Sequence, residues 1–314
     1  MALFSEQEKT ILSVKNLTLV YRRRSAGKVY ALSDVSFDVR AGEILGIAGE
    51  SGSGKSSVCK SILKLFREWE ISELSGAVNF NGKNILDERD EELNRLRGGR
   101  IAMIFQQPAA AFNPVMKIGR QIEEVMALHG CGRGLVGIFE TVGLEERAVN
   151  LFPHNLSGGM LQRAQLAVAL ATGAEILIAD EPTTSLDAYS QFEIINLLKD
   201  LVKKEHLTLI FVSHNLRLIK FLTERTLIFY GGFLVEEGPT EELFKNPLHP
   251  YTRDLMKCIP APGNEIYPIK GFPPDLSEKP TGCPYMPRCG LAGEICAGNV
   301  KLKREFHKVR CFYA

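Results

Sequence analysis

The sequence predicts an α/β protein with a mainly parallel core sheet, followed by a small tail rich in cysteine. Short apolar runs alternate with segments of helical spacing through residues 1–257, an order typical of parallel strands joined by helices. Beyond that point Pro and Gly become frequent, and four of the seven cysteines lie in the last tenth of the chain. We therefore expect one large domain in residues 1–257 and a tail domain in residues 258–314.

Each element follows from the spacing of apolar residues and from the turn signals between them. The predicted strands are Ile11–Tyr21, Val29–Arg40, Glu43–Ala48, Arg100–Phe105, Ile176–Ala179 and Thr208–Val212, with strand pairs in Gly76–Leu86 and Thr226–Glu236. The predicted helices are Ser56–Phe66, Glu91–Arg97, Ile118–Leu128, Gly134–Val142, Ser157–Ala171, Tyr189–Glu205 and Leu216–Thr223. Most of these helices stand between strands, as a parallel core requires.

The composition is that of an ordinary globular protein, with 45% apolar residues, 24% charged residues and a net charge of +1. This balance argues against a dedicated nucleic-acid binder and against an electrostatic membrane anchor. No apolar run approaches the roughly 18–20 residues that span a bilayer, and the polar start at residues 1–10 does not resemble a signal peptide. We expect a cytoplasmic chain that reaches a membrane only through partners.

A glycine-rich loop at Gly49–Ser56 matches the phosphate-binding pattern G-x-x-x-x-G-K-[ST], with a predicted strand before it and a predicted helix after it. Its glycines let successive backbone N–H groups face a phosphate. Lys55 supplies positive charge near the β- and γ-phosphates, and the Ser56 hydroxyl can reach a magnesium ion. The loop alone indicates a nucleotide and fits kinases, GTPases and motor ATPases alike.

Two further motifs narrow this choice. The apolar run at Ile176–Ala179 ends in Asp180 and Glu181, where the first carboxylate can hold magnesium and the second can polarise an attacking water. Without the upstream loop, these acids would be a solvated strand end. The segment Leu156–Met160 places Ser-Gly-Gly at the start of a helix, which is a ready anion site.

These three motifs, in this order and at this approximate spacing, resemble those of the nucleotide-binding subunits of ATP-binding cassette (ABC) transporters. Met160 departs from the glutamine that is frequent there in the wider family. The resemblance implies an α/β, ABC-type P-loop ATPase core with an antiparallel β subdomain and a helical subdomain at about residues 107–165. It also implies an enzyme that uses ATP and Mg²⁺ and couples hydrolysis to transport across a membrane.

The resemblance assigns roles to individual residues. Those implied to be catalytic are Glu181, the switch histidine His214 and Gln106. Magnesium is implied to bind Ser56, Gln106 and Asp180. Nucleotide binding is implied for Tyr21, Gly49, Ser51, Gly52, Ser53, Gly54, Lys55, Ser56, Ser57, Ser157, Gly158, Gly159 and Asp187. Tyr21 is the expected adenine-stacking aromatic, with Tyr30 as a second candidate.

A composite machine is implied as well. Two ABC ATPase subunits face each other head to tail, so that Ser157 serves the ATP held by the other subunit. That second ATPase is expected to be a paralogue, with a second copy of this chain as the alternative. Hydrolysis is expected to separate the two ATPase subunits, and two transmembrane permease subunits follow that motion. An extracytoplasmic substrate-binding protein takes part indirectly. The chain is expected as a peripheral subunit at the cytoplasmic face of the cell membrane, with no nucleic-acid partner.

A narrower resemblance, to the ATPases of oligopeptide and dipeptide importers, covers nearly the whole chain. It rests on Phe112–Met116, Pro153–His154, His249–Thr252, Pro273–Leu276, Gly282–Pro284 and Pro287–Cys289. Import of nickel chelates or oligosaccharides is the alternative, because Met160–Arg163 is similar to the nickel branch. A soluble ABC ATPase acting on DNA or the ribosome would carry a long coiled-coil insertion or a second cassette, and the sequence predicts neither. The ABC signature argues against a small-molecule kinase.

Three positions depart from the pattern of peptide-importer ATPases. Gln107 stands where an acid is frequent, and Asn215 stands where Asp is usual. The segment Gly130–Gly134 is short, which predicts a trimmed helical subdomain. None of these departures touches a residue with an implied catalytic role.

The tail cysteines are spaced Cys283-x5-Cys289-x6-Cys296-x14-Cys311. In a reducing cytoplasm such a group favours a metal over disulfides. The spacing lacks the C-x2-C knuckles common in structural zinc sites, whereas four thiolates can hold a [4Fe–4S] cluster. Some peptide-importer ATPases are associated with such a cluster, so the resemblance implies it here; zinc and metal-free thiols stay open. The basic residues expected to form a solvated face are Arg288, Lys301, Lys303, Arg304 and Lys308.

Overall fold

The computed structural model describes residues 9–23, 27–260 and 267–314. Its strands are β1 (Thr10–Arg22), β2 (Lys28–Arg40), β3 (Ile44–Ala48), β4 (Ile71–Phe80), β5 (Lys83–Asn84), β6 (Ile101–Ile104), β7 (Ile176–Asp180), β8 (Thr208–Val212), β9 (Arg225–Tyr230), β10 (Phe233–Pro239) and β11 (Lys308–Val309). Its helices are α1 (Lys55–Ile62), α2 (Asp90–Leu96), α3 (Ile118–His129), α4 (Leu135–Thr141), α5 (Gly158–Thr172), α6 (Ala188–Glu205), α7 (Leu216–Leu222), α8 (Thr240–Lys245) and α9 (Pro250–Lys257). These elements form two compact units, one of residues up to Glu88 and from Val212 onward, and one of Arg89–Phe211.

The first unit contains an antiparallel sheet in the order β2-β1-β4-β5. In its centre, Val14 of β1 lies opposite Phe37 of β2 and opposite Val78 of β4, and all three side chains are buried. Cross-strand apolar pairs of this kind stabilise a sheet and set its register. The sheet agrees with the antiparallel β subdomain that the family resemblance implies.

The same unit contains the strand order β11-β10-β9-β3, in which β3 and β9 are parallel and Leu45 lies opposite Arg225. All five residues of β3 are buried. A short strand without polar alternation is typical of a parallel strand covered on both faces. Helix α1 follows it and buries Val58, Cys59 and Ile62. Together they hold the intervening glycine-rich loop between two rigid elements.

The tail is not set apart as the separate domain that we predict from composition. Its described residues belong to the first unit, and β11 adds to the edge of β10 with Val309 opposite Glu236. The Arg310 N–H also donates to the Val235 carbonyl at 2.8 Å, and Tyr285 is fully buried. Among its described residues, 258–260 and 267–314, the regular structure is one two-residue strand and short 3-10 turns, too little to form a core of its own.

The second unit contains β6 and β7 paired in parallel, with Ile101 opposite Ile176, and β8 next to β7 in the strand order. Every residue of β7 and β8 is buried. Helices α3 and α4 both pack against α5. Within the described part of the chain, no helix combines the length and the apolar character that crossing a membrane requires.

Most predicted elements are present, and the differences lie at short or irregular segments. Helices α8 and α9 were not predicted, although Pro250 opens α9 and the His249 ring nitrogen accepts the Tyr251 N–H at 3.1 Å. Helices of six to eight residues carry too few turns for a clear periodic signal. Strand β4 begins at Ile71, earlier than predicted. Helix α1 ends sooner than predicted, since Lys64 takes a left-handed conformation with φ 49°.

Candidate active site

The phosphate-binding loop joins β3 to α1 in the first unit, and its backbone requires glycine at two points. Gly49 has φ +149°, and a side-chain Cβ there would lie 2.2 Å from the carbonyl oxygen of Phe229. Gly54 has φ +107°, and a Cβ would lie 2.7 Å from the Ala31 carbonyl oxygen. Both distances are shorter than any real carbon–oxygen contact. The close approach of neighbouring backbone therefore requires glycine at both positions.

Lys55 and Ser53 present polar atoms inside the loop. The Lys55 side chain is buried, and its Nζ donates to the carbonyls of Gly49 and Glu50 at 2.8 Å each. The Ser53 Oγ is buried and has no hydrogen-bond partner in the described chain. A buried hydroxyl without a partner is costly unless a ligand supplies the hydrogen bond. These groups fit the oxygens of a polyphosphate.

Tyr21 lies at the end of β1 and reaches helix α1. Its hydroxyl is 3.5 Å from the Ser57 Oγ, and its ring packs edge-on against Phe66 with centroids 6.0 Å apart. Burial raises the pKa of the Tyr21 phenol. Tyr30 lies in β2, where its backbone N–H donates to the Leu276 carbonyl at 2.8 Å. The structure thus places Tyr21, the preferred aromatic, next to a helix residue adjacent to Ser56.

His214 lies in the first unit, two residues after the last residue of β8. The N–H of Ser213 donates to the carbonyl of Ile47 in β3 at 3.1 Å, so the histidine stands next to the strand that leads into the phosphate loop. Asn215 caps α7, because its side-chain oxygen accepts the Arg217 N–H at 3.1 Å. Asparagine is as good a helix cap as the aspartate usual in the family, which explains why this departure is tolerated.

The acidic strand end lies in the second unit. Asp180, the last residue of β7, is buried, and Glu181 follows it with an unusual positive φ of 48°. The Gln106 Nε2 donates to the Glu181 Oε2 at 3.4 Å, and the Thr184 Oγ1 donates to the same oxygen at 3.0 Å. The structure therefore brings together two residues with implied catalytic roles. The contact of Thr184 with Glu181 was not predicted from the sequence. A hydroxyl residue three positions after the carboxylate is the signal that could have indicated it.

The implied magnesium ligands share one chemistry. Ser56 offers a hydroxyl oxygen, Gln106 an amide oxygen and Asp180 a carboxylate oxygen. Hard oxygen donors of this kind suit Mg²⁺ and do not suit soft transition metals. The residues present therefore fit the ion that a phosphate-binding ATPase needs.

The ABC signature opens α5 as expected. The Ser157 Oγ accepts the Met160 N–H at 3.3 Å and caps the helix. Gly158 and Gly159 form its first two positions, and Gly158 is exposed whereas Gly159 is half-buried. A side chain at Gly158 would press on Leu186 at 3.3 Å. The arrangement is an open, anion-attracting helix start.

Asp187 caps α6. One of its carboxylate oxygens accepts the N–H groups of Tyr189 and Ser190 at 3.0 Å each, and the other accepts the Ser190 hydroxyl at 2.7 Å. The Ser190 hydroxyl, followed by its backbone N–H, lowers the pKa of the Asp187 carboxyl. The cap explains the presence of Asp187 within this chain, and its role across an ATPase dimer stays a prediction.

The four tail cysteines converge. Cys283, Cys289, Cys296 and Cys311 line one small cavity together with His249, Pro250, Met286, Val300, Phe312 and Tyr313. Burial raises the pKa of the Cys283 thiol to about 11 and also raises the pKa of Cys289. Among the described residues, no three His, Cys, Asp or Glu side chains are grouped so as to hold a single metal ion. The four thiols therefore line one cavity, but they are not placed as the ligands of a single metal ion.

The interpretation of Arg288 as part of a solvated face is wrong. Its side chain is only 4% exposed and forms two hydrogen bonds to the carboxylate of Glu50, at 2.8 and 3.2 Å. Lys308 is likewise engaged, with its Nζ 3.2 Å from both carboxylate oxygens of Glu237. The sequence gives no sign of these ion pairs, because Glu50 and Glu237 lie far from Arg288 and Lys308 along the chain.

Comparison with known proteins agrees with this geometry. The ABC transporter family matches residues 32–184, and the family described as the oligopeptide/dipeptide transporter C-terminal region matches residues 235–296. The oligopeptide transport ATP-binding protein OppD of Escherichia coli is 38% identical over 312 residues, covering 96% of this chain and 92% of that protein. A probable peptide ABC transporter ATP-binding protein of Sinorhizobium fredii is 38% identical over 318 residues, covering 96% and 94%.

A solved structure agrees as well. The ATP-binding cassette MJ0796, a dimer in a post-hydrolysis state with ADP and phosphate, superposes with a TM-score of 0.64 at 30% identity. The match covers 73% of this chain and 98% of that one. The fold and the phosphate loop thus define an ABC-type nucleotide-binding cassette. The chain belongs to the family of ABC transporter ATP-binding subunits, in its oligopeptide and dipeptide branch.

Proposed function

We propose that this chain is the ATP-hydrolysing subunit of a peptide importer. The pairing of Gln106 with Glu181 at the end of a buried strand is the observation that carries the hydrolytic part. In this proposal Lys55 and Ser53 bind the phosphates, and the Glu181 carboxylate polarises the attacking water while Gln106 orients it. Ser56, Gln106 and Asp180 are the oxygen donors that would take magnesium, and the ion would supply charge neutralisation for phosphoryl transfer.

The proposed partners are two membrane permease subunits and a second ABC ATPase, with a paralogue preferred over a second copy. An extracytoplasmic binding protein takes part indirectly. The exposed start of α5 supports the second ATPase, because Ser157 and the following glycines present N–H groups that a nucleotide on another subunit can use. The names of the relatives, which describe oligopeptide and peptide transport, support the peptide cargo. A peripheral place at the cytoplasmic face of the membrane is part of the same proposal.

Reconstitution in vesicles tests the cargo. The complex formed with co-purifying permease and ATPase subunits is expected to accumulate a labelled oligopeptide only with ATP and the binding protein. Lys55→Ala is the matched control, since it removes the loop ammonium and should abolish uptake. Uptake of a nickel chelate or an oligosaccharide, with no uptake of peptides, would instead favour the alternative importers.

We also propose that the tail cavity holds a [4Fe–4S] cluster through Cys283, Cys289, Cys296 and Cys311. Four thiols around one cavity supply the ligand number and type that such a cluster takes. A single zinc ion is less well supported, because its four sulfur ligands must all lie about 2.3 Å from one point. The cluster would brace a segment that has very little regular secondary structure.

Metal analysis tests the cluster. After anaerobic purification, the full chain is expected to contain about four iron and four sulfide per molecule. Cys296→Ser should lose most of both, whereas Cys131→Ser should retain them, because Cys131 lies in the second unit and outside the cavity. Zinc without iron, or a chain with neither metal, would contradict the proposal.

A further inference from the structure

Glu50, the second residue of the phosphate loop, is held at all three of its polar groups. Its N–H donates to the buried Tyr251 hydroxyl at 2.9 Å, and its carbonyl accepts the Lys55 Nζ at 2.8 Å. Its carboxylate, with the side chain 25% exposed, is paired with Arg288. Each of these contacts fixes part of the loop that must wrap a phosphate. The last comes from the tail, 238 residues away in sequence.

The Arg288 guanidinium uses all five of its N–H donors. Two reach Glu50, and the others reach the Tyr230 hydroxyl at 3.1 Å, the Ile269 carbonyl at 3.3 Å and the Lys270 carbonyl at 2.8 Å. Five donors are the full capacity of an arginine. The planar group therefore has one orientation, and lysine could not reproduce it.

The position of Arg288 also depends on the cysteine-bearing turn. Its backbone N–H donates to the Tyr285 carbonyl at 3.0 Å, and the Cys289 N–H donates to the Met286 carbonyl at 3.3 Å. The Cys283 N–H donates in turn to the Cys296 carbonyl at 2.8 Å. The turn between Cys283 and Cys289 therefore carries the side chain that meets the phosphate loop.

From this geometry we infer that Arg288 is a positioning residue for ATP binding. It holds the Glu50 peptide in place, and it neutralises a carboxylate that would otherwise stand uncompensated in a loop built to receive an anion. Without the guanidinium, the half-buried Glu50 carboxylate would be an unpaired charge, which destabilises this conformation of the loop. Its negative charge would also repel the phosphates of ATP. The inference rests on the proposed nucleotide site. It adds the tail as a contributor to ATP affinity.

A double-mutant cycle on the full chain tests this, with the MgATP dissociation constant as the readout. Arg288→Met is expected to weaken MgATP binding about tenfold, because it leaves the Glu50 charge unpaired. Glu50→Gln alone should change affinity by less, and the double variant should recover most of the loss. In the assembled transporter, Arg288→Met should raise KM for ATP without a matching fall in kcat.

Two controls separate the possible failures. Arg310→Lys is the matched variant: Arg310 is also buried and also precedes a tail cysteine, but it donates to the carbonyls of Leu234, Val300 and Asp34. It should leave MgATP affinity unchanged. If Lys55→Ala binds MgATP like the wild type, the proposed nucleotide site is wrong. If Lys55→Ala loses binding while Arg288→Met keeps it, or if the double variant is as weak as Arg288→Met, the inference is overturned.

Discussion

Replacing Glu181 with Gln is expected to abolish ATP turnover while ATP stays bound. The amide has the shape of the carboxylate and can still accept hydrogen bonds from Gln106 and Thr184, so the local structure should persist. It cannot act as a base, and loss of a general base costs about a hundred- to ten-thousandfold in rate. Steady-state ATP hydrolysis by the assembled transporter measures this loss. Size-exclusion chromatography with MgATP should show an ATP-bound ATPase dimer.

Glu175→Gln is the matched control for that variant. It makes the same substitution just before the other end of β7, where Glu175 forms a half-exposed ion pair with Arg100. Such surface pairs contribute little to stability, so turnover should stay near the wild-type rate. Wild-type turnover in Glu181→Gln would show that another group activates the water.

Replacing Gly49 with Ala is expected to destabilise the chain and to remove ATP binding. The new Cβ would lie 2.2 Å from the Phe229 carbonyl oxygen, and a φ of +149° is strained for any L side chain. Overpacking and backbone strain each cost about 1–3 kcal/mol, so we expect a loss of about 2–6 kcal/mol in the free energy of unfolding. Denaturant unfolding and MgATP titration measure the two effects.

Gly42→Ala is the control that separates the effect of backbone strain from the effect of a steric clash. Gly42 also has a positive φ, +78°, but a side chain there would meet nothing within 4 Å. It should therefore cost only about 1 kcal/mol and leave ATP binding intact. If Gly49→Ala were no more harmful than Gly42→Ala, the close approach of the Phe229 backbone would not be what requires glycine in the loop.

The sequence alone determined those functional parts of the protein that are built from residues adjacent in the chain. The phosphate loop at Gly49–Ser56 needs a fixed run of glycines followed by Lys and Ser, so its pattern is readable in one segment. The same holds for Asp180 and Glu181 after an apolar strand, and for Ser157 at the start of α5. Long helices and fully buried strands were readable because their spacing repeats over several residues.

Tertiary structure alone decided how the tail is used. Composition suggested a separate domain and a solvated Arg288, yet the tail pairs with β10 and the arginine holds the phosphate loop. Glu236 is a second example, buried in β10 and 2.6 Å from the His307 Nε2. Each contact joins residues far apart in the chain, and no local spacing encodes them. They form because burying a charged side chain is costly unless hydrogen-bond or ion-pair partners are brought to it.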